Sequence, residues 1–170
     1  MLKLQSPHSR GSPARRAVTL VELMVVLVLL SIVAAVVVPQ AVQTSDLEVV
    51  SAARVLAADL NYAQDLAITS QTPVTLTFNV AGSSYTLSNA SGTLIHPITK
   101  EAYVTVFSAE NGFGRMEVVS ATFGPASSVT FDELGAPNSS GTVVLQAGPY
   151  LYHVTVAAAT GRVTVTRIGS

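Results

Sequence analysis

The sequence predicts an α+β fold in which one long N-terminal helix precedes an antiparallel β domain. Apolar residues first fill a continuous stretch and then recur at helical spacing as far as Pro73. Beyond Pro73 the period changes to the alternation typical of strands, and turn residues separate short segments. About 130 residues follow the apolar stretch, which is enough for one domain with its own core.

Residues 1–17 are predicted to form a disordered, basic leader. They include four basic residues, no acid, two prolines and several serines, without apolar periodicity. The alternative is an ordinary secretory signal, which has an apolar region of about 7–15 residues followed by a small-x-small cleavage site. Here the apolar region is longer and no such pattern follows it closely, which disfavours this alternative.

Residues 18–39 are predicted to be a transmembrane helix. No charged residue occurs from Leu23 to Ser45, and about 20 apolar residues are enough to span a bilayer. Glu22 stands at the start, where a carboxylate costs about 2.5–3.5 kcal/mol on insertion scales, so it is a functional candidate. An acid that snorkels to the membrane surface is the simpler alternative. Pro39 removes one intrahelical donor and is predicted to kink the helix at the membrane boundary.

Residues 40–72 are predicted to continue the helix as an amphipathic segment. Apolar positions recur at spacings of three and four, and the acids Glu48, Asp59 and Asp65 fall off this stripe. Pro73 and the polar residues before it mark the end of the helix. The stripe is expected to cover one face of the β domain. Its members are Val49, Ala53, Leu56, Leu60, Ala63 and Ala67.

Residues 73–170 are predicted to form a domain of seven to nine short antiparallel strands, arranged in one sheet or two. Apolar and polar residues alternate in several of these segments, and Gly, Asn, Pro and Ser mark the turns between them. The predicted strands are 74–78, 85–88, 103–107, 117–123, 129–131, 142–146, 150–156 and 163–166.

Charge is unevenly distributed along the chain. Four of the nine basic residues precede Val18, and the remainder has five basic against ten acidic residues, a net charge of −5. A basic leader before the apolar helix and acids after it fit the positive-inside rule, so the β domain is expected to be exported. The acidic balance argues against a general nucleic-acid binder. The absence of cysteine excludes disulfides and Cys-ligated metal sites.

No group of residues in the sequence supports an enzyme. Asp132 and Glu133 are neighbours, so on a strand they would face opposite sides, and the residues after them indicate a solvated turn. His96 precedes a proline in a predicted loop, and His153 is predicted to face water. Neither histidine has a partner at metal-ligand spacing, and no G-x-S-x-G motif occurs. No cofactor or metal is therefore expected.

The N-terminal motif resembles the type III signal of type IV prepilins and type II secretion pseudopilins. Its parts are the basic leader, a small residue, an apolar residue and then Thr-Leu-Val-Glu, which ends at Glu22. The resemblance implies that a prepilin peptidase cuts between Ala17 and Val18 and methylates the new amine of Val18. Glu22 would then be the fifth mature residue and would attract that amine of a neighbouring subunit. The family usually has Gly and Phe at the cut, whereas this chain has Ala17 and Val18.

The rest of the chain is similar to the pseudopilin H group (GspH/FimT-like), which has a pilin-like α+β fold. The similarity rests on the helix segment 52–68 leading into 73–76, and on the strand-turn segments 131–135 and 160–163. The acidic, Trp-containing calcium loop of the major pseudopilin has no counterpart, and this chain has no Trp. The resemblance therefore favours a minor subunit.

The resemblance implies a minor pseudopilin of a type II secretion system. Such a subunit sits in the bacterial inner membrane with its N-terminus cytoplasmic and its C-terminal domain periplasmic, and it joins a periplasmic pseudopilus, here expected near the tip. The implied partners are other pseudopilins or pilins through the N-terminal helix, the prepilin peptidase, inner-membrane lipid and the assembly platform. The alternative is a minor type IV pilin that serves surface fibres or DNA uptake.

Arg162 and Arg167 are the only clustered basic residues after the leader. Some relatives in the minor-pilin branch bind DNA through a basic C-terminal region, so these two residues are candidates for a weak DNA contact. With a net charge of −5 after the leader, ordinary surface charge is the stronger interpretation, and nucleic acid is not an expected partner.

Overall fold

A computed structural model gives the structure of residues 19–169, without the side chains of residues 35–44. The chain divides into two compact units, Met1–Pro39 and Gln40–Ser170. A single helix, α1, runs from Leu20 to Ser70, and nine strands follow it within the described residues. The predicted α+β class is confirmed.

The C-terminus of α1 lies where the sequence predicts. Gln71 has a φ of 51°, the left-handed conformation common just after a helix. The N–H of Thr72 donates to the C=O of Ala67 (3.3 Å), which satisfies one of the last helix carbonyls in the Schellman manner. Pro73 then prevents a further turn. The helix therefore ends at Ser70 and the chain enters the first strand.

The amphipathic stripe of α1 is buried, as its spacing predicts. Each of the six predicted positions has no exposed surface, and Ala52 is equally buried beside them. Leu56 and Leu60 are its largest members, and burying each contributes about 1.5–3 kcal/mol. This burial fastens the second half of the helix to the β domain.

Nine strands in the described part of the chain form two antiparallel sheets. The strands are β1 Val74–Asn79, β2 Ser84–Asn89, β3 Gly92–Thr93, β4 Val104–Val106, β5 Met116–Phe123, β6 Ser128–Phe131, β7 Gly141–Ala147, β8 Tyr150–Val156 and β9 Val163–Gly169. The first sheet has the order β3-β2-β1-β6, with β4 also paired to β2, and the second has the order β5-β7-β8-β9. A short 3₁₀ turn, Ala109–Asn111, precedes β5.

Alternate residues of the strands fill the core between the helix and the sheets. In the β7–β8 pair, Leu145 lies opposite Tyr152, and both side chains face inward. Phe78 of β1 stacks on Phe123 of β5 with their ring centroids 5.7 Å apart, so an aromatic contact joins the two sheets. The period-two alternation of the sequence therefore identifies the buried face correctly.

Strand β3 is not among the predicted strands. The sequence indicates a turn over residues 90–92, whereas the structure places Gly92 already in the strand. Asn89 Oδ1 accepts the N–H of Ser91 (2.9 Å), and Gly92 follows with a φ of 118°. An Asx turn thus reverses the chain within two residues, and a two-residue strand is too short to show a hydrophobic alternation.

Candidate assembly site and the contacts that hold the helix

Glu22 lies in the first turn of α1, where the chain itself caps the helix. The N–H of Glu22 donates to Thr19 Oγ1 (3.2 Å), and the N–H of Leu23 donates to the Thr19 carbonyl (3.1 Å). Thr19 is therefore the N-cap and Glu22 the third helical residue, the spacing of a capping box. A carboxylate here also interacts favourably with the positive end of the helix dipole, by about 0.3–1 kcal/mol.

The helix surface around Glu22 is apolar on every side. All the large apolar side chains from Leu20 to Val33 are between 49% and 76% exposed. Ser31 turns its hydroxyl inward and donates to the carbonyl of Val28 (2.7 Å), so it adds little polarity. Contiguous apolar surface of this kind marks a site for lipid or for other apolar helices. A shallow groove of about 230 Å³ on this surface is lined by Val21, Met24, Val25, Val28 and Leu29.

The other predicted features of this region stay predictions. Ala17 and Val18, the predicted cleavage and methylation sites, lie outside the described residues. Pro39 lies within α1, but its side chain is outside the described part of the chain, and the kink is untested. Among the described residues, no helical stretch combines the length and the mean hydropathy needed to cross a membrane.

Asp59 joins the second half of α1 to the first sheet. Its Oδ2 accepts the hydroxyl of Tyr85 (2.6 Å) and that of Thr105 (3.4 Å), and its Oδ1 accepts the hydroxyl of Tyr103 (3.1 Å). Burial, followed by the Asp59 charge, raises the pKa of Tyr85 and of Tyr103 well above the usual value. The sequence places Asp59 off the apolar stripe but does not reveal that it is a hydrogen-bond acceptor for the sheet.

Asp46 ties the helix to the last two strands. Its Oδ1 accepts the hydroxyl of Tyr152 (3.1 Å), and its Oδ2 lies 3.9 Å from Arg167 Nη1. The pKa of Tyr152 is raised, first by burial and then by the hydrogen bond and charge of Asp46. The Arg167 guanidinium also lies 4.9 Å from the ring centroid of Tyr150, at cation–π distance. Arg167 is therefore partly engaged within the chain.

Gln64 binds two loops at once. Its side-chain amide donates to the carbonyl of Gly135 (2.7 Å) and to that of Thr160 (2.9 Å). Gly161 has a φ of 66°, and a Cβ there would lie 2.4 Å from Gln64 Nε2, so a side chain at this position would be strained and would displace the Gln64 amide. The three segments that carry the H-group resemblance after the N-terminal motif therefore meet at one side chain.

The remaining singled-out residues have local contacts. Asp132 Oδ1 accepts the backbone N–H groups of residues 134 and 136 (3.0 and 2.7 Å), which is the predicted turn. His96 Nδ1 accepts the backbone N–H groups of residues 98 and 99 (both 3.2 Å). His153 is half-buried on the outer face of β8. Arg162 is exposed and immediately precedes β9. The structure does not test the predicted DNA contact of Arg162 and Arg167.

Two family profiles match the sequence. The profile described as Type II transport protein GspH matches residues 52–166, and the profile of the prokaryotic N-terminal methylation motif matches residues 12–38. No curated protein gives a significant sequence match.

Several solved structures share the fold. The minor pseudopilin EpsH from the Type 2 Secretion System of Vibrio cholerae is 16% identical, with a TM-score of 0.56, over 71% of this chain and 97% of that one. The type IV minor pilin FimU of Pseudomonas aeruginosa is 17% identical, with a TM-score of 0.50, over 72% and 91%. At these identities the likeness shows the fold. The GspH profile matches more than half of the length of this chain, so the chain belongs to the GspH family of pilin-like structural subunits.

Proposed function

We propose that this chain is a minor pseudopilin of a type II secretion system, which joins the pseudopilus near its tip and helps drive folded proteins across the outer membrane. The observation that carries the proposal is a helix surface, from Leu20 to Val33, that is apolar all round and bears one carboxylate, Glu22. A simple lipid anchor needs the apolar surface only, whereas a helix bundle uses both features. The GspH match and the likeness to EpsH support the secretion assignment.

Processing at the N-terminus prepares the partner of Glu22. A prepilin peptidase on the cytoplasmic side cuts between Ala17 and Val18 and methylates the amine of Val18. The methylation-motif match over residues 12–38 supports this step. The basic leader keeps the N-terminus in the cytoplasm, and the domain after Pro39 lies in the periplasm. The kink at Pro39 lets the helix change direction at the membrane boundary.

Glu22 sets the alignment of neighbouring N-terminal helices during assembly. An unpaired charge in a low-dielectric setting is costly, and pairing with the Val18 amine of a neighbouring subunit relieves that cost only in the assembled state. The competing role is local, since Glu22 stands at the third helical position after the Thr19 cap and its backbone N–H donates to Thr19 Oγ1. Glutamine at the same position supports a cap equally well but carries no charge. Glu22→Gln therefore separates the two roles: a capping residue tolerates it, and an assembly charge does not.

The second candidate function is that of a minor type IV pilin in surface fibres or DNA uptake. The likeness to the minor pilin FimU favours it, because that structure and EpsH match this chain to a similar degree. In either machine the partners are sister pilins or pseudopilins, the membrane and the assembly platform, and the chain is a structural subunit rather than an enzyme.

Deleting the gene distinguishes the two machines. For a pseudopilin, secreted proteins should accumulate in the periplasm, while surface fibres and DNA uptake stay normal. Wild-type protein should restore secretion, and the Glu22→Ala variant should not. Loss of fibres or of DNA uptake with normal secretion would instead assign the chain to the pilus.

A further inference from the structure

Strand β9 presents an unpaired backbone edge. It pairs with β8 on one side, with Val154 opposite Val165 and Val156 opposite Val163. The N–H of Ala157 donates to the carbonyl of Arg162, a bond that continues the β8–β9 register. Because backbone groups alternate in direction along an antiparallel strand, those of Thr164 and Thr166 also point toward β8. The N–H and C=O groups of Val163 and Val165 therefore point away from the sheet. Within residues 19–169, these four groups have no hydrogen-bond partner.

The side chains of β9 leave this edge accessible. The five central residues of the strand are exposed on both of its faces, unlike those of β7 and β8, which bury every second residue. Val165 on the inner face is 39% exposed, and Ile168 near the end of the strand is 51% exposed. At the edge of the other sheet, by contrast, Asn111 Nδ2 donates to the carbonyl of Val106 (2.9 Å) and blocks part of β4. Proteins usually protect a long edge in some such way, because it is a template for another strand.

The charges beside the edge specify its occupant. Arg162 precedes β9 and Arg167 lies near its end, and the strand contains no acidic residue. Among the described residues Arg162 has no ion pair, and the Arg167 side chain is still 43% exposed beside Asp46. Pairing β9 with the same strand of a second copy would bring two guanidinium groups close together at each end of the strand, and like charges at such close range are repulsive. A different chain with acidic residues at both ends of its strand avoids that repulsion.

We propose that β9 is a strand-addition site, at which an extended segment of a different protein, with acidic residues at its ends, pairs with the free edge between Arg162 and Arg167. The backbone groups of Val163 and Val165 supply the hydrogen bonds, and the two arginines select the partner by charge. The proposal does not depend on the role of Glu22 or on which secretion or pilus machine the chain serves.

The test uses the full-length chain in detergent micelles and a synthetic probe peptide, acetyl-Glu-Thr-Val-Thr-Val-Thr-Glu-amide. Binding should slow amide hydrogen exchange at Val163 and Val165 by about tenfold or more, because these N–H groups gain acceptors. A peptide with Lys in place of both Glu residues should bind much more weakly. A peptide with the acidic ends but with alternate amides methylated along its pairing edge should not protect these amides.

Two variants separate charge from backbone pairing. Arg162→Glu should weaken binding of the acidic peptide by about three- to tenfold, while the matched control Lys100→Glu should leave it unchanged. Val165→Pro removes an outward N–H but no bond to β8, so the fold should persist and peptide binding should be lost. The proposal is overturned if the acidic peptide gives no protection at β9, or if Arg162→Glu and Lys100→Glu behave alike. Preferential binding of a single-stranded oligonucleotide, or protection of β9 by self-association of the chain, would overturn it as well.

Discussion

Replacing Asp59 with alanine should strongly destabilise the β domain, because one carboxylate accepts three hydroxyl groups, two from strands β2 and β4 and one from Tyr103 just before β4. The Tyr85 hydroxyl lies 2.6 Å from Asp59 Oδ2, and Tyr85 is only 1% exposed. The variant therefore leaves a buried donor without its acceptor. Hydrogen bonds to a charged group contribute about 1.5–3 kcal/mol each when buried. The Tyr103 bond is longer (3.1 Å), and the Thr105 contact at 3.4 Å is weak.

The expected loss for Asp59→Ala is about 3–4 kcal/mol of unfolding free energy. Asp65 offers a matched control, because it is an exposed acid on the same helix, with no side-chain hydrogen bond or ion pair among the described residues. Asp65→Ala removes the same charge and makes the same gain in helix propensity, and it should change stability by no more than about 0.5 kcal/mol.

Urea unfolding of the full-length chain in detergent, followed by far-ultraviolet circular dichroism, measures these differences. A double-mutant cycle with Tyr85→Phe isolates the pair. Tyr85→Phe should cost about 1.5–2 kcal/mol in the wild type but nothing in the Asp59→Ala background, where it removes an unsatisfied hydroxyl. An equal cost of Tyr85→Phe in both backgrounds would refute the reasoning, and so would equal effects of Asp59→Ala and Asp65→Ala.

Three further predictions follow from the same contacts. Folding raises the pKa of Tyr85 above its usual 10.0, so the unfolded chain loses the hydroxyl proton at a lower pH than the folded chain. The unfolding free energy should therefore fall above pH 10 by about 1.4 kcal/mol per pH unit for each such tyrosine. Urea titrations at alkaline pH, with and without Tyr85→Phe, check this. Gly161→Ala should cost more than Gly112→Ala in the same assay, because both have positive φ but only the first would meet Gln64 (2.4 Å); equal costs would remove the steric argument. Thr19→Ala should cost the helix start about 0.5–2 kcal/mol and speed amide exchange in the first turn, whereas unchanged exchange would show that the cap is unimportant.

Periodicity alone predicts most of this fold. The six-residue stripe of the helix is fully buried, and each of the eight predicted strand segments overlaps a strand of the structure. Such patterns are readable because the burial of one face is repeated at every second position of a strand or every third to fourth position of a helix. The two-residue β3 falls below the length at which a period exists.

The polar contacts that hold the helix are not predictable in this way. The partners of Asp59 lie 26, 44 and 46 residues away, and those of Gln64 lie 71 and 96 residues away. No local pattern encodes such contacts, so the sequence shows only polar residues beside an apolar stripe. The cap formed by Thr19 is different, since Thr-x-x-Glu is a local signal. Here the capping signal overlaps the N-terminal methylation motif, so Thr19 and Glu22 belong to both patterns.

The most direct test of the assembly claim is crosslinking between N-terminal helices. The natural chain has no cysteine, so a single Val25→Cys substitution in the apolar groove reports contact with a sister subunit that carries a matching cysteine. Glu22→Gln, which keeps the cap but removes the charge, should insert in the membrane normally yet reduce the crosslink by about tenfold or more. Asp65→Asn, a charge loss elsewhere on the helix, should leave it unchanged. Undiminished crosslinking of the Glu22→Gln variant would contradict the claim that Glu22 directs assembly.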